Sequence, residues 1–173
     1  VVRRRLAAAF DALNKKRPGE TPLEPEYHSP VQCSNVIRHF DSLRDKETGR
    51  LKRPFDPDEL RWMQNERILS QCDYTYWLTR YAYIRGWDDR VQRIIPNVAQ
   101  KLIISVWGEM ELEQHAILML QLKARRLGVS TLTELAVAHR TQFYSNVNAV
   151  VASSDPDKSA EMAGIMELAW DRM

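Results

Sequence analysis

The sequence predicts an α/β fold, with a helical N-terminal region followed by the start of a parallel sheet. Three observations lead there. From Asp56 onward, apolar residues recur at helical spacing behind a capping signal. Two short apolar runs, Ala116–Leu122 and Asn148–Ser153, read as strands buried on both faces. A helical pattern, Ser130–Phe143, joins them. Strand, helix, strand in that order is a crossover unit, which implies parallel strands and a right-handed connection.

The chain has 173 residues, enough for one domain or one domain with a helical appendage. Hydrophobic residues at 44% and charged residues at 28% suit a soluble globular protein. A net charge of +2 excludes a histone-like or acidic-tail protein, but not nucleic-acid binding by a local patch. Two cysteines, Cys33 and Cys72, do not make a disulfide scaffold, and neither has a partner at zinc spacing. The apolar runs are far short of a membrane span, and no cleavage site follows the basic, then apolar, start. A reducing cytoplasm is the simplest compartment. The chain opens without Met and stops inside a helical pattern at Met173, so a fragment of a longer protein is expected.

Three regions follow: an N-terminal arm and linker (1–55), a helical lead-in (56–95) and the first part of a nucleotide-binding core (96–173). In the arm, Val2–Arg17 forms a short basic helix with Leu6, Phe10 and Leu13 on one face. Pro18, Gly19, Pro22, Pro25 and Pro30 make an extended linker, and Arg50–Arg53 is a solvated basic run. In the lead-in, Asp56, Pro57 and Glu59 form a capping box. Leu60, Met63, Arg67, Ile68 and Cys72 carry the helix period. Tyr74, Tyr76, Trp77, Tyr81 and Tyr83 could stack bases, but helical spacing favours packing against a neighbouring helix. Gly86 and Trp87 begin a turn, and Val91–Ile95 is a short extended piece.

In the third region, Asn97 caps a helix over Val98–Trp107 that Gly108 ends. Glu109, Glu111 and Glu113 read as an acidic connection rather than a metal site. After the second buried run, Asp155 and Pro156 start a last helix with Met162, Ile165, Met166 and Leu168 inward. His28, His39, His115 and His139 show no mutual pattern.

Lys123-Ala-Arg-Arg-Leu-Gly-Val-Ser-Thr131 lies between a buried strand and a helix start, where free amides and the helix dipole favour an anion. The spacing from Lys123 to Gly128 matches that between the two glycines of a phosphate loop, and Ser130 falls on the magnesium-binding hydroxyl. Val129 stands where the usual lysine would. Lys123, Arg125 and Arg126 supply cations instead, with Arg125 suited to the γ-phosphate.

This loop resembles the deviant phosphate loop of the large terminase subunits of tailed bacteriophages, in which the lysine moves to the front. Asp73–Tyr81, Pro96-Asn-Val-Ala-Gln100 and Ala149–Ser154 are similar, in order, to that family's lead-in helix, adenine-recognising segment and second strand. The resemblance covers about 58–173. It implies a P-loop NTPase of three-layer αβα architecture, an ATP- and magnesium-dependent motor packaging double-stranded DNA into a procapsid. It implies partners too: DNA, a portal protein, a small terminase subunit and further copies in a ring, in the cytoplasm of an infected bacterial host. Gln100 would then meet the adenine edge, Lys123 would be the displaced lysine, and Ser130 would reach magnesium. Ala124, Arg126, Leu127, Gly128, Val129 and Thr131 would complete the cradle, with Arg125 as the catalytic arginine. Arg126 departs from the family, which commonly has Gln there.

No apolar run ending in Asp-Glu follows Thr131, and no acidic cluster suits a two-metal nuclease. The expectation is therefore a chain cut before its catalytic carboxylates and its nuclease domain, inactive alone. Two other readings remain open: a non-catalytic helical module binding DNA or portal, and a related P-loop helicase or translocase. Helicases usually keep the lysine that Val129 replaces.

Overall fold

A computed structural model describes residues 2–86, 88–113, 117, 119, 127–150, 152 and 155–171. The chain divides into two units, Val2–Asp73 and Tyr74–Met173.

In the first unit, helix α1 (Val2–Lys15) buries Leu6 and Phe10, one helical turn apart, and packs on α3 (Pro57–Cys72). Between them, residues 21–29, with Pro22 and Pro25, belong to no helix or strand. Helix α2 (Pro30–Ser42), which the sequence patterning does not anticipate, starts at a Ser29–Gln32 capping box with Pro30 in its first turn. The Asp56–Glu59 box at the start of α3 forms as expected, with both reciprocal bonds at 2.8 Å.

The buried face of α3 is not the one its apolar residues mark. Leu60 is 44% exposed and Met63 is also exposed, while Glu59, Asn65, Glu66, Leu69 and Ser70 are buried. The reason is hydrogen bonding. The extended segment has backbone groups to satisfy, and Asn65 accepts from the Glu26 N–H (3.0 Å) and donates to its carbonyl (2.8 Å). Glu66 meets His28 Nδ1 at 2.6 Å.

In the second unit, α4 (Tyr74–Tyr81) buries Tyr76, Trp77, Leu78 and Tyr81. The aromatic segment is a packing face, as its spacing predicts. Trp77 and His139 lie 5.1 Å apart between ring centroids, and the Tyr74 hydroxyl donates to the Leu132 carbonyl (3.1 Å). A hairpin of β1 (Tyr83–Arg85) and β2 (Val91–Arg93) follows, antiparallel, with Tyr83 opposite Arg93. Helices α5 (Val98–Leu112), α6 (Val129–Phe143) and α7 (Pro156–Asp171) complete the unit, with α6 packing on α4, α5 and α7. The sequence of α6 marks Leu132, Leu135, Ala136 and His139 as one stripe, and it holds in part: Leu132, Leu135 and His139 are buried, while Ala136 is half-buried. Asp155 caps α7, its carboxylate accepting from the Asp157 N–H at 3.0 Å.

Three expectations need correction. Among the described residues the fold is mostly helical and its sheet is the two-stranded antiparallel hairpin, not a parallel three-layer arrangement. Of the first predicted strand, Ala116–Leu122, all but Ile117 and Met119 lies outside the described residues, and those two belong to no strand. In the second, Asn148–Val150 and Ala152 belong to no strand, and Val150 is 90% exposed. An apolar run makes a buried strand only where neighbouring strands pair its backbone and cover its faces. Finally, Gly108 does not end α5, which continues to Leu112. A mid-helix glycine costs only about 1 kcal/mol relative to alanine.

Candidate nucleotide site at the start of α6

Lys123, Ala124, Arg125 and Arg126 lie outside the described residues. Leu127, Gly128, Val129, Ser130 and Thr131 are described, and so is Gln100. Gly128 is the residue before the first turn of α6, with φ +67° and ψ 22°, the left-handed region that favours glycine. Its carbonyl accepts the first intrahelical bond, from the Leu132 N–H at 3.1 Å.

The same carbonyl accepts a second bond, from Gln100 Nε2 at 2.8 Å. One residue earlier, the Leu127 carbonyl accepts from Asn97 Nδ2 at 3.1 Å. Asn97 and Gln100 also cap α5 reciprocally: Asn97 Oδ1 accepts from the Gln100 N–H (2.9 Å), and Gln100 Oε1 accepts from the Asn97 N–H (3.0 Å). Each side-chain amide thus uses its oxygen for the α5 cap and its NH2 for the turn into α6. Gln100 is buried, 5% exposed. A Cβ at Gly128 would stand 2.8 Å from Gln100 Nε2.

Among the described residues no side chain caps α6. The amides of its first turn have no intrahelical acceptor, and with the helix dipole they suit an anion. Ser130 is exposed there, while Val129 is buried and Thr131 half-buried.

Glu134 lies further along α6. It is 2% exposed, and among the described residues neither carboxylate oxygen has a hydrogen-bond partner. Burial, aided by the charge of Glu161, pushes its pKa up to about 7. Nothing in the sequence singles it out: the stripe of Leu132, Leu135 and His139 already fills the helix period.

The other predicted candidates take structural places. Glu109 and Glu111 lie within α5, and Glu111 pairs with Arg140. Among the described residues no group of three or more His, Cys, Asp or Glu side chains could hold a metal ion. His39 Nε2 lies 2.7 Å from Glu59, which Arg53 also grips through both guanidinium nitrogens at 2.7 and 2.9 Å. Arg53 first, then His39, hold the Glu59 carboxyl down to about 2. His139 sits among Tyr74, Trp77, Phe143 and Tyr144. His115 lies outside the described residues. No helix among the described residues is long and apolar enough to cross a membrane.

No family profile, curated protein or solved structure matches the chain.

Proposed function

We propose that the chain is the N-terminal part of the ATPase motor of a phage large terminase, binding ATP where the 123–131 loop enters α6. The observation that carries this reading is the 2.8 Å bond from Gln100 to the Gly128 carbonyl. It joins two segments 28 residues apart to which the resemblance assigns adenine and phosphate. A freely exposed basic loop in a DNA- or portal-binding module has no need of such a tie.

In this reading, Gly128 and the first-turn amides of α6 cradle the phosphates, and Lys123 and Arg126 add charge. Arg125 would stabilise the γ-phosphate as negative charge spreads in the transition state. Ser130 would hold magnesium, which neutralises phosphate charge. Water activation falls to carboxylates outside this chain. The motor would translocate double-stranded DNA through a portal as a ring of copies, with a small terminase subunit as partner, in the host cytoplasm.

Calorimetric titration with magnesium and ATP tests the reading. Saturable binding that Lys123→Ala abolishes supports it. Absence of binding by the unaltered chain leaves the DNA- or portal-binding module as the better account.

A further inference from the structure

We propose that α7 is a flap over the Glu134 side chain of α6, and that it lifts from α6 more readily as the carboxyl beneath it ionises. The inference is independent of the nucleotide reading above.

Helix geometry assigns the cover. The Tyr74 and Trp77 rings of α4 lie against His139, and Glu111 of α5 pairs with Arg140. Glu134 stands about 140° round the helix from His139 and about 120° from Arg140. Neither α4 nor α5 therefore closes over it. Helix α7 also packs on α6, and the charge of its Glu161 acts on Glu134. Ser130 and Thr141 share the Glu134 side of α6 and are exposed, so the burial of Glu134 is local. Among the described elements, α7 is the one left to supply it.

The cover is lightly held. Among the described side chains of α7 only Ala169 is buried, while Met162, Ile165, Met166 and Leu168 are half-buried. Gly164, near the middle, lowers its helix propensity. Beneath it, an ionised Glu134 has no hydrogen bond among the described residues. No cation offsets it there either. The charged side chains described on α7 are Asp157, Lys158, Glu161 and Glu167, and Glu161 is the one whose charge acts on Glu134, by repulsion. On α5, Glu111 is taken by Arg140, and Lys101 and Glu109 are exposed. Arg80 of α4 lies over the Tyr76 ring. Lifting α7 gives the carboxylate to water, which removes the cost of burying it. Burial first, then Glu161, raise the covered carboxyl from 4.5 to about 7. The covered state thus prefers the neutral acid. Opening becomes more frequent as pH rises from 4.5, and the gain levels off above the raised value.

Amide hydrogen exchange at pH 5 and pH 8, expressed as protection factors so that the intrinsic pH dependence drops out, reads the opening of each helix. In the unaltered protein, α7 amides should be less protected than those of α6 at both pH values, because the flap opens while the rest of the unit stays folded. Protection in α7 should also drop about fifty-fold from pH 5 to pH 8. Glu134→Gln, which cannot ionise, should abolish that drop. Glu161→Gln, which removes the lesser influence, should reduce it only in part. Equal protection in α7 and α6 would mean that the two open only together, and it overturns the inference. So does an unchanged α7 protection in the unaltered protein, or the same drop in Glu134→Gln. Should Glu134→Gln fail to fold, the comparison of α7 with α6 and the pH series in the unaltered protein still decide the matter.

Discussion

Glu134→Gln should remove a pH-dependent weakness from the second unit. The Glu134 carboxyl is buried without a hydrogen-bond partner among the described residues, and its pKa rises from 4.5 to about 7. Below pH 4.5 the group is protonated in both the folded and the unfolded chain, and it costs the fold no ionisation energy. As pH rises past 4.5 the unfolded chain ionises first, so stability falls. The loss is complete once pH passes the folded value, and a shift of this size corresponds to about 3 kcal/mol. Most of that, about 2 kcal/mol, falls between pH 5 and 8. Glutamine keeps the shape and cannot ionise. Its buried amide adds a cost, but the same one at every pH. Urea unfolding followed by tryptophan fluorescence is the assay, since Trp77 and Trp107 lie in helices of the second unit. The unaltered protein should lose about 2 kcal/mol more than the variant on going from pH 5 to pH 8. Parallel losses in the two proteins would refute the claim that Glu134 is buried and unpaired.

Other outcomes follow from the same geometry. Glu59→Gln should weaken the first unit above pH 4.5. The unaltered protein should lose that contribution as pH falls from 4.5 toward about 2, because Arg53 and His39 hold the folded carboxylate ionised; acid titration of circular dichroism checks this. Trp77→Ala removes a fully buried ring between α4 and α6 and should cost about 3–5 kcal/mol in urea unfolding. Under the proposed function, Arg125→Ala in the full-length protein should bind ATP but hydrolyse it far more slowly, while Arg126→Gln keeps most activity. ATPase rates showing the reverse would exchange the two roles.

Capping chemistry was the most legible part of the sequence. Asp56–Glu59, Asn97 and Asp155 all act where their spacing puts them, because a cap depends on residues within one turn. The α6 stripe and the inward aromatics of α4 were legible for a similar reason: each helix buries one continuous face. What failed depended on distant partners. The face of α3 was misread because Asn65 and Glu66 are drawn inward by Glu26 and His28, some forty residues away. Val150 was misread because apolar composition does not supply a neighbouring strand. At the candidate site, the helix was legible from Ser130 onward, one residue short of its start at Val129. The bonds from Asn97 and Gln100 to Leu127 and Gly128 were not, since no local pattern links a capping box to a turn 28 to 30 residues later.

The extended segment 21–29 has a bearing on how this chain behaves among its own copies. An extended backbone normally advertises a row of open donors and acceptors that another chain can copy onto. Here Asn14 bonds both the N–H and the carbonyl of Leu23, at 2.8 and 2.9 Å, and Asn65 does the same for Glu26. Each asparagine occupies the place a partner strand would take. Pro22 and Pro25 carry no N–H at all. At Pro22, Leu23, Pro25 and Glu26 the segment thus has no N–H to offer a recruiting strand, which interrupts the continuous ladder that domain exchange or fibrillar pairing through it needs.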